Sequence, residues 1–148
     1  MRTLWLLLLA FLPFTASAQY NVDRLIMSGR VAVYYEDYVL GIQYFNQALS
    51  LKPYLYEPWQ LRAIAKFNLD DFAGAEFDAS KAIELNPYIP LLYDLRGISR
   101  IRQENYKGAI ADYEHAIRLE PTNQNFWYNR AVCRMEMKDY ERAQLELD

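Results

Sequence analysis

The chain has 148 residues, 53% of them apolar and 16% aromatic, with a formal net charge of −3 and a pI near 5.2. That apolar content can fill one continuous core, while the acidic balance argues against nucleic acid, whose binding needs a basic surface to displace counterions. The single cysteine, Cys133, permits no internal disulfide, so packing has to supply the stability.

The first element in chain order is a leader. Residues 1–18 contain Arg2, an apolar stretch from Leu4 to Phe14 interrupted by Pro13, and the small-residue run Ala16-Ser17-Ala18. Together these have the make-up of a secretory signal peptide removed before Gln19. The stretch is shorter than the roughly 20 residues that span a bilayer, so no stable membrane insertion is expected after cleavage. No cysteine follows it to take a lipid, and the loss of Arg2 makes the charge more negative. The signal resembles those of bacterial export, and the expected location is exported: periplasmic or cell envelope, or secreted.

Residues 19–148 form the second region. Pro53, Pro87 and Pro121 stand 34 residues apart, and each closes an Ala-hydrophobic-x-Leu-x-Pro run. That period divides the region into units at about 22–55, 56–89 and 90–123, with a partial unit at 124–148. Other series keep the same register: aromatic Tyr38, Phe72, Tyr106 and Tyr140; small Gly41, Ala75, Ala109 and Ala143; small Gly29, Ala63, Gly97 and Ala131; large rings Trp59, Tyr93 and Trp127, with Leu25 in the first unit.

Each unit is predicted to be two helices. The first follows the proline, as in Glu57 to Leu69 or Gln124 to Met137, with apolar residues three and four apart. A polar turn comes next, Glu36-Asp37, Asp70-Asp71, Glu104-Asn105 or Lys138-Asp139, whose acidic or amide residue can cap the second helix. Small residues mark the expected crossings, Gly29 with Gly41, Ala63 with Ala75 and Gly97 with Ala109. Proline then ends the unit, because it lacks a donor and pushes its predecessor out of the helical region.

This pattern resembles the tetratricopeptide repeat (TPR), a helix–turn–helix unit with a Trp-x2-Leu-Gly-x2-Tyr run, later Ala and Phe, and a closing Pro. The resemblance covers residues 22–148. It implies an all-α fold, a right-handed superhelical solenoid of antiparallel helix pairs. The family's Leu before the small residue is Ser28, Arg62, Arg96 and Arg130 here, and its following Tyr is Ala32, Lys66, Arg100 and Arg134.

The arginines vary together with acids sixteen residues downstream. Asp78, Asp112 and Glu146 answer Arg62, Arg96 and Arg130, whereas Ser28 is answered by uncharged Tyr44. The expected ion pairs are therefore Arg62 with Asp78, Arg96 with Asp112 and Arg130 with Glu146.

Catalytic chemistry finds little support. One His and one Cys in different units make no zinc set, and no phosphate loop or Ser-His-acid arrangement is apparent, so neither a metal nor a cofactor is implied. Cys133 aligns with Val31, Ala65 and Ser99 as a small, semi-buried position, and His115 aligns with Gln47 and Lys81 as a surface one.

The resemblance implies a non-enzymatic scaffold holding a peptide or protein on the concave face lined by first helices. The expected groove residues are Gln60, Ile64 and Phe67, then Asp94, Ile98 and Ile101, then Tyr128, Val132 and Met135. Chaperone-tail-binding members grip a terminal carboxylate with Lys and Asn. Here those places hold Ile26 and Arg30, Gln60 and Ile64, and Asp94 and Ile98.

The alternative is that the array is the regulatory or targeting part of a larger enzyme or sensor continuing beyond residue 148, since the fourth unit stops before its Ala-hydrophobic-x-Leu-x-Pro ending. The aromatic content is also compatible with self-association.

Overall fold

The computed structural model describes residues 21–147, with side chains to residue 138, so the leader at 1–18 lies outside the described residues. Helix α1 occupies residues 21–34. It is followed by α2 (Tyr38–Leu51), α3 (Tyr56–Asn68), α4 (Phe72–Leu85), α5 (Pro90–Ile101), α6 (Tyr106–Leu119) and α7 (Gln124–Leu147). Successive helices pack on one another, and no strand occurs among the described residues.

The turn inside each complete unit is the same two-residue device. Glu36, Asp70 and Glu104 take φ of +60° to +62°. Their left-handed conformation lets the next amide, that of Asp37, Asp71 or Asn105, bond back to Ala32, Lys66 or Arg100 at 2.8–3.0 Å, closing the first helix. The same residue then opens the second helix, because its side-chain oxygen accepts from the amide of Leu40, Gly74 or Gly108 at 2.9–3.1 Å. One residue thus ends a helix with its backbone and starts the next with its side chain.

Connections between units use the proline carbonyl. The indole N–H of Trp59 donates to Pro53 O at 2.9 Å, the hydroxyl of Tyr93 to Pro87 O at 3.1 Å, and the indole of Trp127 to Pro121 O at 3.0 Å. Two series that run in parallel through the sequence are therefore one contact. The ring also supports the arginine a turn later, with Arg62 4.8 Å from the Trp59 ring centre and Arg130 4.7 Å from that of Trp127.

Helix crossings depend on matched side-chain sizes. A methyl group on Gly29 would lie 2.4 Å from the Phe45 ring, and one on Gly97 would lie 3.1 Å from Tyr113. At the equivalent crossing of the second unit Ala63 and Ala79 stand in register, both fully buried. The space opened by a small residue on the first helix is thus filled by position 45 or 113 of the second. Gly41 contributes differently: it brings α2 close to α1, so that a methyl there would sit 3.5 Å from Gly29 O. Tyr93, Tyr113, Ile117 and Phe126 continue the core toward α7, with Cys133 fully buried beside them.

The fourth unit departs from expectation. No turn forms at Lys138-Asp139, and α7 runs unbroken for 24 residues. Breaking the helix there would place Lys138 in the left-handed region and lose intrahelical bonds. In the complete units a 14-residue second helix offsets that cost by packing back. Glu146 lies where side chains are not described, so its pairing with Arg130 falls outside the described residues.

Gly29→Ala should destabilise the protein by about 1–3 kcal/mol, because the fully buried Phe45 ring has nowhere to move. Chemical denaturation of both proteins checks this; an unchanged midpoint would show that α1 and α2 can separate freely.

Candidate binding groove

The first helices are held in place by an ionic network. Asp78 on α4 is fully buried and receives Arg62 Nε at 2.7 Å and Nη2 at 2.8 Å, a two-point contact. Lys66, one turn further along α3, adds a contact at 2.9 Å. In the next unit Arg96 Nη2 meets Asp112 at 2.6 Å and Arg100 Nη1 meets it at 2.9 Å.

Each arginine also reaches back one unit. Arg62 Nη1 donates to Asn46 on α2 at 2.6 Å, Arg96 Nη1 to Ser80 on α4 at 3.3 Å, and Arg100 Nε to Glu76 on α4 at 2.7 Å. One acid per unit therefore ties together three helices. The second cation was detectable in principle, since Lys66 and Arg100 sit four residues after Arg62 and Arg96 on the same helical face.

With the first helices fixed, α3 and α5 meet directly and frame a cavity of about 280 Å³. Gln60, Ile64 and Phe67 line it from α3, and Asp94 and Ile98 line it from α5. Leu91 and Leu95 complete the floor. They continue the stripe of Asp94 and Ile98 a turn toward the helix start, which is the signal that would have found them.

Ile101 lies elsewhere: it packs against the core around Tyr93 and Tyr113. On α7, Tyr128 and Met135 are well exposed and Val132 is half-buried. Arg30, from α1, is paired with Glu57.

Asp94 is the only acid lining this cavity among the described residues. It is half-buried, receives Asn129 Nδ2 from α7 at 3.5 Å, and faces the Tyr113 hydroxyl, a buried group that makes no fully formed hydrogen bond. Burial pushes the Asp94 carboxyl above its ordinary range, and the contacts with Tyr113 and Asn129 only partly offset this. Burial likewise raises Tyr113 and the Cys133 thiol, which disfavours a reactive thiolate. His115 is exposed and stacks on Tyr93 with ring centres 5.1 Å apart. No group of three His, Cys, Asp or Glu side chains suited to a metal occurs among the described residues.

Residues 100–148 match a family model described as Tetratricopeptide repeat. No curated protein sequence matches the chain. Among solved structures, the TPR domain of Arabidopsis OM64 aligns with a TM-score of 0.77 at 25% identity, over 80% of this chain and 98% of that one. The first TPR domain of human RPAP3 gives 0.77 at 26%, over 82% and 95%. The first TPR of Spaghetti (RPAP3), bound to the HSP90 peptide SRMEEVD, gives 0.78 at 26%, over 80% and 94%.

Two outcomes are expected here. A double-mutant cycle on Arg96 and Asp112 should give a coupling above the ~1 kcal/mol ceiling of exposed pairs, against near zero for the exposed pair Lys81–Glu84. Asp94→Asn should raise thermal stability at neutral pH while keeping an acceptor for Tyr113. The sign follows from the raised carboxyl: its stabilising contribution is complete only below the ordinary carboxylate range and is lost as pH rises through the raised value. The gain from Asn should therefore shrink as the solution is acidified; a gain that grows in acid would contradict the burial argument.

Proposed function

We propose that this tetratricopeptide-repeat solenoid is a non-enzymatic scaffold that holds an extended or helical segment of another protein in the concave groove, after export to the cell envelope. The observation that carries the reading is the α3–α5 cavity: an apolar floor of Ile64, Phe67, Leu95 and Ile98 edged by Gln60 and Asp94. A floor of that kind supplies affinity by desolvation, and the polar edge supplies orientation. Burial raises the Asp94 carboxyl above its ordinary range, and groups perturbed in this way cluster at functional sites.

The partner should be neutral or cationic. The RPAP3 relative holds an acidic peptide, SRMEEVD. Here the groove presents a carboxylate, and Arg30 is already neutralised by Glu57. An acidic chain end would meet repulsion, whereas a Lys or Arg side chain over the apolar floor would satisfy Asp94. The make-up of residues 1–18 supports export, and on that reading the partner lies outside the cytosol.

Capture from envelope extract, read by mass spectrometry, tests this reading on protein whose mature N-terminus should be Gln19. Tyr128→Ala and Asp94→Asn should each lower capture about tenfold, the effect of losing a contact worth 1–2 kcal/mol. Lys81→Ala and His115→Ala, on the second helices, should leave it unchanged. The reverse pattern would move the binding surface to the outer helices.

A further inference from the structure

Three polar side chains from α5, α6 and α7 meet at one edge of the groove, at positions that the other units fill differently. Asp94 stands in register with Ile26, Gln60 and Tyr128, Tyr113 with Phe45 and Ala79, and Asn129 with Met27, Leu61 and Leu95. The repeat therefore packs without a carboxylate, a hydroxyl or an amide at these places. Phe45 fills the same crossing over Gly29 that Tyr113 fills over Gly97.

All three groups are poorly satisfied. Asn129 Nδ2 reaches Asp94 Oδ1 only at 3.5 Å, and the fully buried Tyr113 hydroxyl makes no hydrogen bond of ordinary length. Charge is the larger deficit. Asp78 and Asp112 each receive two cations, whereas half-buried Asp94 has no ion pair among the described residues. Tyr113 and Asn129 can supply only neutral donors to it. What remains toward the cavity is acceptor capacity: the second oxygen of Asp94 and, from α3, the amide oxygen of Gln60. The site is short of a donor that carries positive charge.

We propose that Asp94 seats one lysine ammonium of the segment held in the groove, with Asn129 and Tyr113 as positioning residues that fix its carboxylate at the cavity edge; the inference rests on the groove reading above. Lysine is favoured over arginine by geometry. A guanidinium gains most by taking both carboxylate oxygens, as Arg62 does with Asp78 at 2.7 and 2.8 Å. At Asp94 one oxygen already faces Asn129. An ammonium is a compact charge with three rotatable donors, so it can use the other oxygen and turn a second N–H to Gln60. Its four-carbon stem covers Ile64, Leu95 and Ile98 on the floor of the 280 Å³ cavity. Because Asn129 comes from α7, the subsite belongs to the third and fourth units together.

Blocked, fluorescent peptides test this, with Lys, Arg, acetyl-lysine or norleucine at the centre and mixed Leu, Val and Ala on either side. Fluorescence anisotropy should show the wild type binding the Lys peptides about tenfold tighter than the acetyl-lysine and norleucine ones, and several-fold tighter than the Arg ones. Asp94→Gln, Tyr113→Phe and Asn129→Leu each install a residue that the array already uses at the equivalent place. Asp94→Gln should bring the Lys-to-norleucine ratio to about one, and the other two should lower it about threefold, all without changing norleucine binding. Tyr113→Phe should melt no lower than the wild type; a lower melting point with an unchanged ratio would make Tyr113 a packing residue and overturn its assignment. Equal binding of Lys and norleucine peptides to the wild type, equal binding of Lys and Arg peptides, or selectivity that survives Asp94→Gln overturns the lysine site while leaving the groove reading intact. Failure of all four peptides to bind at millimolar concentration overturns both.

Discussion

One carboxylate buried in each internal unit is the constraint on which the array depends. Asp78 and Asp112 are almost wholly removed from water. An acid in that position is tolerated only when charged partners replace its hydration. Each takes an arginine from the facing helix and a second cation one turn along it, and the arginine extends to the unit before. The contact adds little net stability over a well-packed apolar alternative. Its effect is on register: a slip of α3 or α5 by one residue would strand the acid among apolar neighbours, so the helices are held at one relative height.

Packing sets the distances that this network then fixes in register. Gly29 admits the Phe45 ring and Gly97 admits Tyr113, so a large side chain on one helix is accommodated by the absence of one on the other. Ring-to-proline bonds from Trp59, Tyr93 and Trp127 set the entry of each following unit. These two devices bring α3 and α5 into direct contact, and the groove is what that contact leaves open on one side.

The first unit keeps the crossing of Gly29 over Phe45 but lacks the buried acid, and its outer face is apolar and open. The array thus presents two surfaces of different chemistry. The groove between first helices combines an apolar floor with an acidic edge, whereas the end face is uncharged at its centre and opposite in charge at its ends.

The amino-acid sequence by itself determined the local elements of the complete units. Its 34-residue period, the polar pairs such as Glu104-Asn105 and the closing prolines encode local backbone preferences, and these act on the chain wherever it lies. The joint appearance of Arg96 and Asp112, and their joint absence at Ser28 and Tyr44, made even a contact between helices legible, because a buried charge needs its opposite. Tertiary structure alone decided what depends on the angle between helices. It gave Gly29 to Phe45, turned Ile101 onto the core while Ile98 lines the groove, and added Leu91 and Leu95 to the floor. It also kept α7 straight through Lys138-Asp139, where the local signal resembles that of the other turns. A turn residue can only permit a helix to fold back; the surface it folds onto determines whether it does.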